Sequence, residues 1–491
     1  MTAGEPQGRG GLAGEDILDL PTAGPAIIRG GLLRVVGFGV GLVVSVGSAV
    51  VLLRYLSVAD FGHYTQVIAL VTIVAGLTEA GMTSIGVREY SVREGADADN
   101  LMRNLLGLRL VLTTAGVVIA IGFGLVAGYS SAMLVGVALA GVALVLQVVQ
   151  GTIGVPLQSG LRLGWVTALD LLRQGGTALA LVAAVVGGAG LALLLAAPLP
   201  VAVVLVAITV WLVRGQLTPA PAFDRATWRW MLALTLPFAA ATAVGVIYAY
   251  VTIVLMGLVS TEQETGIFSA AFRIFAVIVT VPGLLVMTAF PLLARAARDD
   301  RERLGYAVQR LFEVCMILGV GVALITVVGA PTIIDVLAGR KYADAVAVLR
   351  VQGIALLASF LVALGGYALL SLRRHRALLI TNGLALATAV ALTLALAPGH
   401  GAVGTAYANL AGEAVLVGGY FLALRRGEDG ARISLELLPR VALAAAAGVA
   451  VALLVQASPL LGAALAGAAY VAGLVLLRAV PAEILEALRA R

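Results

Sequence analysis

Fourteen apolar stretches, each about 20 residues long, follow one another between Leu33 and Leu477. One helix needs about 20 consecutive apolar residues to cross a bilayer core about 30 Å thick. The chain is 61% hydrophobic and only 12% charged, whereas a soluble domain carries about 25% charged residues. The sequence therefore predicts an all-α polytopic membrane protein with about 14 transmembrane helices.

The predicted spans are separated by short gaps that leave no room for a folded extramembrane domain, since such domains have about 50 residues or more. In chain order the spans are 31–53, 64–87, 104–127, 131–154, 163–187, 190–212, 229–257, 265–294, 309–331, 342–371, 377–397, 401–424, 436–456 and 459–479. Only three glycines, Gly187, Gly188 and Gly190, indicate a turn between the fifth and sixth spans. Residues 1–28 have no basic start followed by an apolar core, so they are predicted to be a disordered cytoplasmic tail and not a signal peptide.

A weak internal repeat suggests how the spans are grouped. Gly62-His63-Tyr64 follows the first span, and Gly266-Ile267-Phe268 follows the seventh. Internal repeats are common in transporters, although chance similarity of glycine-rich turns remains an alternative. The interpretation is two six-helix lobes plus a C-terminal pair: an N-lobe over 29–214, a C-lobe over 215–426, and helices 13 and 14 with a cytoplasmic tail over 427–491.

The arginines collect in every second gap between the spans, beginning with the second gap. Because basic residues accumulate in cytoplasmic loops, both termini are predicted to be cytoplasmic, in the plasma membrane of the cell. The net charge of +6 is explained by this placement, so no nucleic-acid partner is expected, whereas membrane lipids are.

Several kinds of catalytic site are excluded by the residues present. The one lysine, Lys341, lies between Arg340 and Tyr342, so the chain lacks the phosphate-binding loop of an ATP-driven pump. The single cysteine, Cys315, cannot complete a zinc cluster. No cofactor or metal is predicted. Gly37 and Gly41 form a GxxxG pattern that is interpreted as close helix packing within the chain.

Arg34 and Arg273 lie inside predicted spans, where an ionisable side chain is expensive and usually faces a cavity or a partner. Arg34 lies two turns into the first span, and it either snorkels to the cytoplasmic surface or lies on a cavity wall. Arg273 lies about two turns into the eighth span from its outer end. Snorkelling there would oppose the positive-inside bias, so a cavity role is favoured for Arg273.

Four further charges complete the set of candidate binding residues. Asp170 and Arg173 are three residues apart on one helix face, which favours an intrahelical ion pair. Glu79 and Glu413 lie among small residues in the second and twelfth spans. Each carboxylate either pairs with an arginine or carries a proton.

Short motifs spread over nearly the whole chain resemble those of oligosaccharide and polysaccharide (Wzx-like) flippases of the multidrug/oligosaccharidyl-lipid/polysaccharide exporter superfamily. Each motif alone is loose, but their order and spacing are fairly specific. The motifs are 54–64 (RYLSVADFGHY), 79–81 (EAG), 266–273 (GIFSAAFR), 337–342 (LAGRKY) and 401–406 (GAVGTA).

The resemblance implies a flippase that moves undecaprenyl-diphosphate-linked oligosaccharide from the inner to the outer leaflet for cell-surface polysaccharide synthesis. It implies a central cavity with basic residues that hold the diphosphate. Arg273 matches the arginine position of the eighth helix in the family, and Arg34 matches the one in the first helix more loosely. A polysaccharide polymerase is an expected partner, and coupling to a proton or sodium gradient stays open.

Two other functions remain alternatives. A cation-coupled multidrug antiporter of the same superfamily would have more acidic residues in the N-terminal half, where Glu79 and Asp170 lie. A membrane polysaccharide polymerase is an enzyme with a long outer loop, and the outer gaps of this chain are short. The transporter interpretation is therefore preferred over the enzyme.

Overall fold

The computed structural model describes residues 23–79, 81–160, 162–426, 433–455 and 458–480. Within these ranges the chain is helical and contains no strand, which confirms the predicted all-α class. In chain order the α-helices are α1 (Ala23–Tyr55), α2 (Val58–Glu79), α3 (Met82–Ser91), α4 (Gly95–Val126), α5 (Ser131–Ile153), α6 (Val155–Ser159), α7 (Leu163–Val186), α8 (Leu191–Ala196), α9 (Pro198–Leu212), α10 (Arg225–Val259), α11 (Glu262–Asp299), α12 (Arg301–Leu337), α13 (Ala345–Ser371), α14 (His375–Arg425), α15 (Leu437–Leu454) and α16 (Pro459–Leu476). A short 3₁₀ turn, Arg340–Tyr342, precedes α13.

The helices account for the predicted number of membrane passes. Twelve helical stretches of the described residues are long and apolar enough to cross a membrane. One of them, His375–Arg425, has 51 residues and breaks at Gly401, where φ is 52° and ψ is −134°. It therefore makes two passes. The stretch Gly39–Tyr55 of α1 is apolar but shorter than these twelve; counted as one more pass, it brings the number to the predicted fourteen.

The two halves of α14 fold back on each other. The Tyr420 hydroxyl donates a hydrogen bond to Asn382 Oδ1 at 2.6 Å. Arg374, just before α14, donates to the carbonyl oxygen of Arg426 at 2.7 Å. Residues at the two ends of this long helix are therefore neighbours, as in an antiparallel pair. The break falls where the sequence separates the eleventh and twelfth predicted spans.

The turn between the fifth and sixth predicted spans is also present. Gly188 adopts a φ of 70°, a left-handed conformation that favours glycine. The amide of Gly188 donates to Val185 O at 3.0 Å, and that of Ala189 donates to Ala184 O at 2.9 Å. These bonds end α7 by using carbonyl groups that a helix leaves unsatisfied at its C-terminus.

The second predicted span, 64–87, lies within one candidate membrane span, Val58–Ser91, in which Gly81 separates α2 from α3. Helix α2 begins at Val58, where the Ser57 hydroxyl accepts a hydrogen bond from the Asp60 amide at 3.1 Å and so caps the helix. It ends at Glu79, and α3 begins at Met82 after Gly81, whose φ is 77°. Hydropathy does not detect this break, because apolar residues continue on both sides of it.

Small residues allow close packing within the bundle. A Cβ atom at Gly37 of α1 would lie 2.9 Å from the methyl group of Thr167 in α7. Gly41 of α1 faces Gln174, which is also in α7. The GxxxG pattern thus packs α1 against α7, as predicted. The C-terminal pair packs on α12, where the Tyr470 hydroxyl donates to Ile317 O at 2.8 Å.

The segment between the predicted lobes lies against the start of α4. The Ala222 amide donates to Arg103 O at 2.9 Å, and the Asp224 amide donates to Asn104 Oδ1 at 2.9 Å. Asp224 then caps α10. The lobe boundaries at 28, 214 and 426 remain predictions.

Candidate functional site

A cavity of about 290 Å³ lies between α1, α2, α7 and α11. It is bounded on one side by helices of the predicted N-lobe and on the other by α11 of the predicted C-lobe. Its lining combines hydroxyl, amide and guanidinium groups with apolar side chains. Among the lining residues are Ser45, Tyr64, Gln147, Arg173, Gln174 and Arg273.

Arg273 enters the cavity from α11. One of its guanidinium nitrogens, Nη2, donates to the Ser45 hydroxyl at 3.2 Å, across to α1. The side chain is half-buried, so most of its five donors are not engaged by this bond. Aromatic residues pack along the same helix, where Phe272 contacts the Tyr250 ring with centroids 6.3 Å apart. The structure thus places Arg273 at a cavity, and its role in binding stays a prediction.

Arg173 enters the same cavity from α7. Its Nη2 lies 3.3 Å from Asp170 Oδ1, which is the intrahelical ion pair expected from their spacing. Both side chains are about half exposed, at 43% and 57%, so solvent screens the pair and it contributes little to stability. Asp170 does not itself line the cavity, and it is connected to it only by this ion pair with Arg173.

Glu79 is paired with an arginine that the sequence analysis missed. Arg109 of α4 donates to Glu79 Oε2 and, through Nη1, to the Thr83 hydroxyl at 2.9 Å. The Thr83 amide in turn donates to Glu79 Oε1 at 3.1 Å. Arg109 is only 3% exposed, so the pair joins α4 to the break between α2 and α3. Neither residue lines the cavity.

Glu413 lies inside the predicted C-lobe and is 9% exposed. Its Oε1 accepts a hydrogen bond from the Tyr248 hydroxyl at 3.2 Å, and its Oε2 accepts one from the Ser359 hydroxyl at 3.1 Å. Within the described residues these partners are neutral, and no ion pair to Glu413 is found. Of the two roles predicted for this carboxyl group, pairing with an arginine is not what the structure shows.

Arg34 lies on α1, but its side chain falls outside the described residues. The choice between snorkelling and a cavity role therefore stays open. The structure brings Arg173 and Arg273 together at one cavity and leaves Glu79 and Glu413 in two other places. The cavity residues that the sequence did not predict are uncharged. Two of them, Gln147 and Gln174, are polar residues inside apolar spans, and this pattern could have identified them.

The two predicted lobes are in close contact where α2 passes α11. A Cβ atom at Gly62 would lie 2.9 Å from the Gly266 backbone nitrogen and 3.1 Å from Glu262 O. A Cβ atom at Gly266 would overlap the carbonyl group of Val58. Backbone therefore packs directly on backbone here, which only glycine permits.

A family model described as polysaccharide biosynthesis protein matches residues 51–347, more than half of the chain. The chain belongs to this family. The match covers α2, the cavity helices α7 and α11, and the segment before α13. It confirms the family resemblance that the sequence motifs indicated. Among curated protein sequences, none matches this chain.

Solved structures share the fold at low sequence identity. The lipid II flippase MurJ in an inward closed conformation has a TM-score of 0.76 at 12% identity, over 91% of this chain and 99% of that one. An inward-facing multidrug resistance MATE family transporter of the MOP superfamily has 0.62 at 17% identity, over 78% and 93%. The eukaryotic MATE transporter AtDTX14 has 0.57 at 11% identity, over 82% and 97%. The protein is therefore a multi-pass membrane protein of the polysaccharide biosynthesis family with the fold of these transporters.

Proposed function

We propose that this protein is a flippase that moves undecaprenyl-diphosphate-linked oligosaccharide between the leaflets of the plasma membrane by alternating access. The observation that carries the proposal is the polar cavity between the lobes, with Arg173 on one wall and Arg273 on the other. The family assignment to polysaccharide biosynthesis and the fold shared with a lipid II flippase support it.

The chemistry of the cavity suits such a headgroup. A diphosphate cannot cross hydrocarbon unaided, because burying its charge without partners costs many kcal/mol. Guanidinium groups bind phosphate oxygens in a charge-assisted, two-pronged geometry, and two of them are available here. The amides of Gln147 and Gln174 offer both donors and acceptors to sugar hydroxyls. The lipid tail then stays in the bilayer while the headgroup passes between the lobes.

Glu413 is the residue that we assign to coupling with a proton or sodium gradient. It is a buried carboxyl group held by two hydroxyl groups, Tyr248 and Ser359, without a cation among its described partners. Such a group inside a membrane is a functional candidate by default, and either a proton or a metal cation would neutralise it. Under this proposal Glu413→Gln keeps downhill flipping and loses its dependence on the gradient.

The orientation follows from the arginine distribution. With both termini in the cytoplasm, the end of the bundle at which α1 and α12 end faces outward. The flippase would then receive its substrate from the cytoplasmic leaflet and deliver it to a polysaccharide polymerase on the other side. Accessibility of a cysteine introduced at Ala343, an exposed residue at that end, to an impermeant thiol reagent on intact cells checks this orientation.

The test of function is flipping in proteoliposomes that contain an undecaprenyl-diphosphate oligosaccharide, followed by the fraction of headgroup that an external enzyme reaches over time. We expect Arg273→Ala to reduce the rate without loss of folded protein. Arg350→Ala is the matched control, since Arg350 is an exposed arginine inside a span that does not line the cavity. Normal flipping by Arg273→Ala would remove Arg273 from the site.

A cation-coupled multidrug antiporter is the second candidate, favoured by the buried carboxyl group of Glu413 and by the fold shared with MATE transporters. It predicts gradient-driven efflux of a cationic dye from the same proteoliposomes and no movement of the lipid-linked sugar. A cavity whose described lining contains two arginines and no carboxylate argues against a cationic substrate, because like charges in a low-dielectric site repel.

A further inference from the structure

Hydrogen bonds join the C-terminal ends of α1 and α12, which belong to different predicted lobes. Arg54, at the end of α1, donates from Nη2 to Val336 O in the last turn of α12 at 2.7 Å. Lys341, just after α12, donates from Nζ to Arg54 O at 3.1 Å and also to Leu56 O. Each helix end is thus capped by a cation that belongs to the other lobe.

Helix C-termini favour this arrangement. The last four carbonyl groups of a helix have no partner within it, and together they carry a partial negative charge that attracts Lys and Arg. Lys341 is the one lysine in a chain that otherwise uses arginine. An ammonium group is a compact charge with three donors that rotate freely, so it can serve two carbonyl groups that point in different directions, whereas a guanidinium group is a rigid plane.

The surroundings hold Lys341 in position. The next residue, Tyr342, is completely buried and packs edge-on against Phe61 of α2, with ring centroids 6.2 Å apart. Gly339, with a φ of 89°, turns the chain out of α12 towards α1. Arg340 shares none of these contacts: it is 96% exposed, and its described ion-pair partner, Asp335, is 4.0 Å away.

We propose that Arg54 and Lys341 form a latch that holds the lobes together at this end and must open in every transport cycle. The inference rests on the proposed alternating-access function. Both cations and the carbonyl groups they cap are near the surface, so water can replace each bond when the lobes separate. The latch therefore favours the closed state while remaining reversible.

Distance measurements between spin labels test the latch without any substrate. Val186 and Ala343 are exposed, belong to different lobes and lie at this end of the bundle. The native Cys315 is completely buried, so cysteines introduced at these two positions are labelled selectively. Pulsed electron paramagnetic resonance on the protein in nanodiscs then reports the closed and open populations.

We expect Lys341→Met to increase the open-to-closed ratio about two- to tenfold for each hydrogen bond lost. Arg54→Met should act in the same direction, and Lys341→Arg should restore part of the closed population. Arg340→Met is the matched control, because it removes a neighbouring charge without touching the carbonyl groups.

Two outcomes overturn the latch: distance distributions of Lys341→Met that match those of the unsubstituted protein, or an equal change in Arg340→Met. The measurement also separates the two proposals. If Lys341→Met opens the lobes but the unsubstituted protein moves no lipid-linked sugar, the latch stands and the proposed function fails. If the unsubstituted protein flips the lipid-linked sugar but Lys341→Met leaves the distances unchanged, the proposed function stands and the latch fails.

Discussion

Replacing Gly266 by alanine tests whether the contact between α2 and α11 is as close as the structure shows. The added Cβ atom would overlap the carbonyl group of Val58, so the first turns of the two helices must move apart. Overpacking of this kind costs typically about 1–3 kcal/mol. Alanine recovers up to about 1 kcal/mol of this through its better helix propensity. With that full gain subtracted, the expected net loss of stability is up to about 2 kcal/mol.

The loss should appear as earlier thermal unfolding. Cys315 provides the signal, since it is the single cysteine and is completely buried. A fluorogenic thiol reagent reacts with it only when the core opens. Gly62→Ala should have a smaller effect, because its Cβ atom needs only about 0.5 Å of extra room (3.4 − 2.9 Å) to reach ordinary contact with Gly266.

Gly283→Ala is the control on the same helix. Nothing lies within 4 Å of a Cβ atom at Gly283, so this variant should unfold no earlier than the unsubstituted protein. The close contact between α2 and α11 is refuted if Gly266→Ala unfolds at the same temperature as Gly283→Ala or at a higher one. In that case α2 and α11 are farther apart in the membrane than the structure places them.

Three other predictions concern charged groups. Glu79→Gln should lower stability by about 1–3 kcal/mol, because it leaves the buried Arg109 charge without its carboxylate. In a double-mutant cycle of unfolding temperatures, adding Arg109→Met should recover most of this loss. Asp170→Asn frees the neighbouring cavity arginine, so half-saturation of flipping should occur at lower substrate concentration. The side-chain and backbone hydrogen bonds from Thr227 lower the pKa of Asp224. The stability from this cap is present above the unfolded-state pKa and is lost as the pH falls through the lowered value, so Asp224→Ala should reduce the difference in unfolding temperature between pH 7 and pH 3.

Much of the fold follows from hydropathy, because each membrane pass must supply its own apolar length. This is why the break at Gly401 and the turn at Gly188 lie between predicted spans. Breaks inside an apolar stretch are different. At Gly81 the backbone takes a left-handed φ inside a predicted span, and Arg109, which pairs with Glu79 beside this position, lies 30 residues away in the sequence.

The site was predictable only in part. The cost of a charge in the membrane singled out Arg273 and Arg173, and both lie at the cavity. The same criterion also selected Glu79 and Glu413, whose side chains make contacts away from the cavity. Hydropathy indicates that a residue lies within a membrane span, but it does not indicate the direction in which its side chain points. Neutral cavity groups such as Gln174 have too small an energetic cost to stand out.

All the motifs that carry the family resemblance except 79–81 lie near the contact between the predicted lobes. The segment 54–64 supplies one half of the latch and 337–342 supplies the other. The segment 401–406 contacts the first turn of α11, because the Ala402 amide donates to Glu264 Oε2 at 2.7 Å. Helix α11 then links this contact to the cavity: Gly266 and Arg273 are seven residues apart, about 10 Å along the helix axis. Because the turns between them move together, separating α2 from α11 at Gly266 also displaces Arg273, so under the proposed function the opening of the latch and the weakening of headgroup binding are one movement.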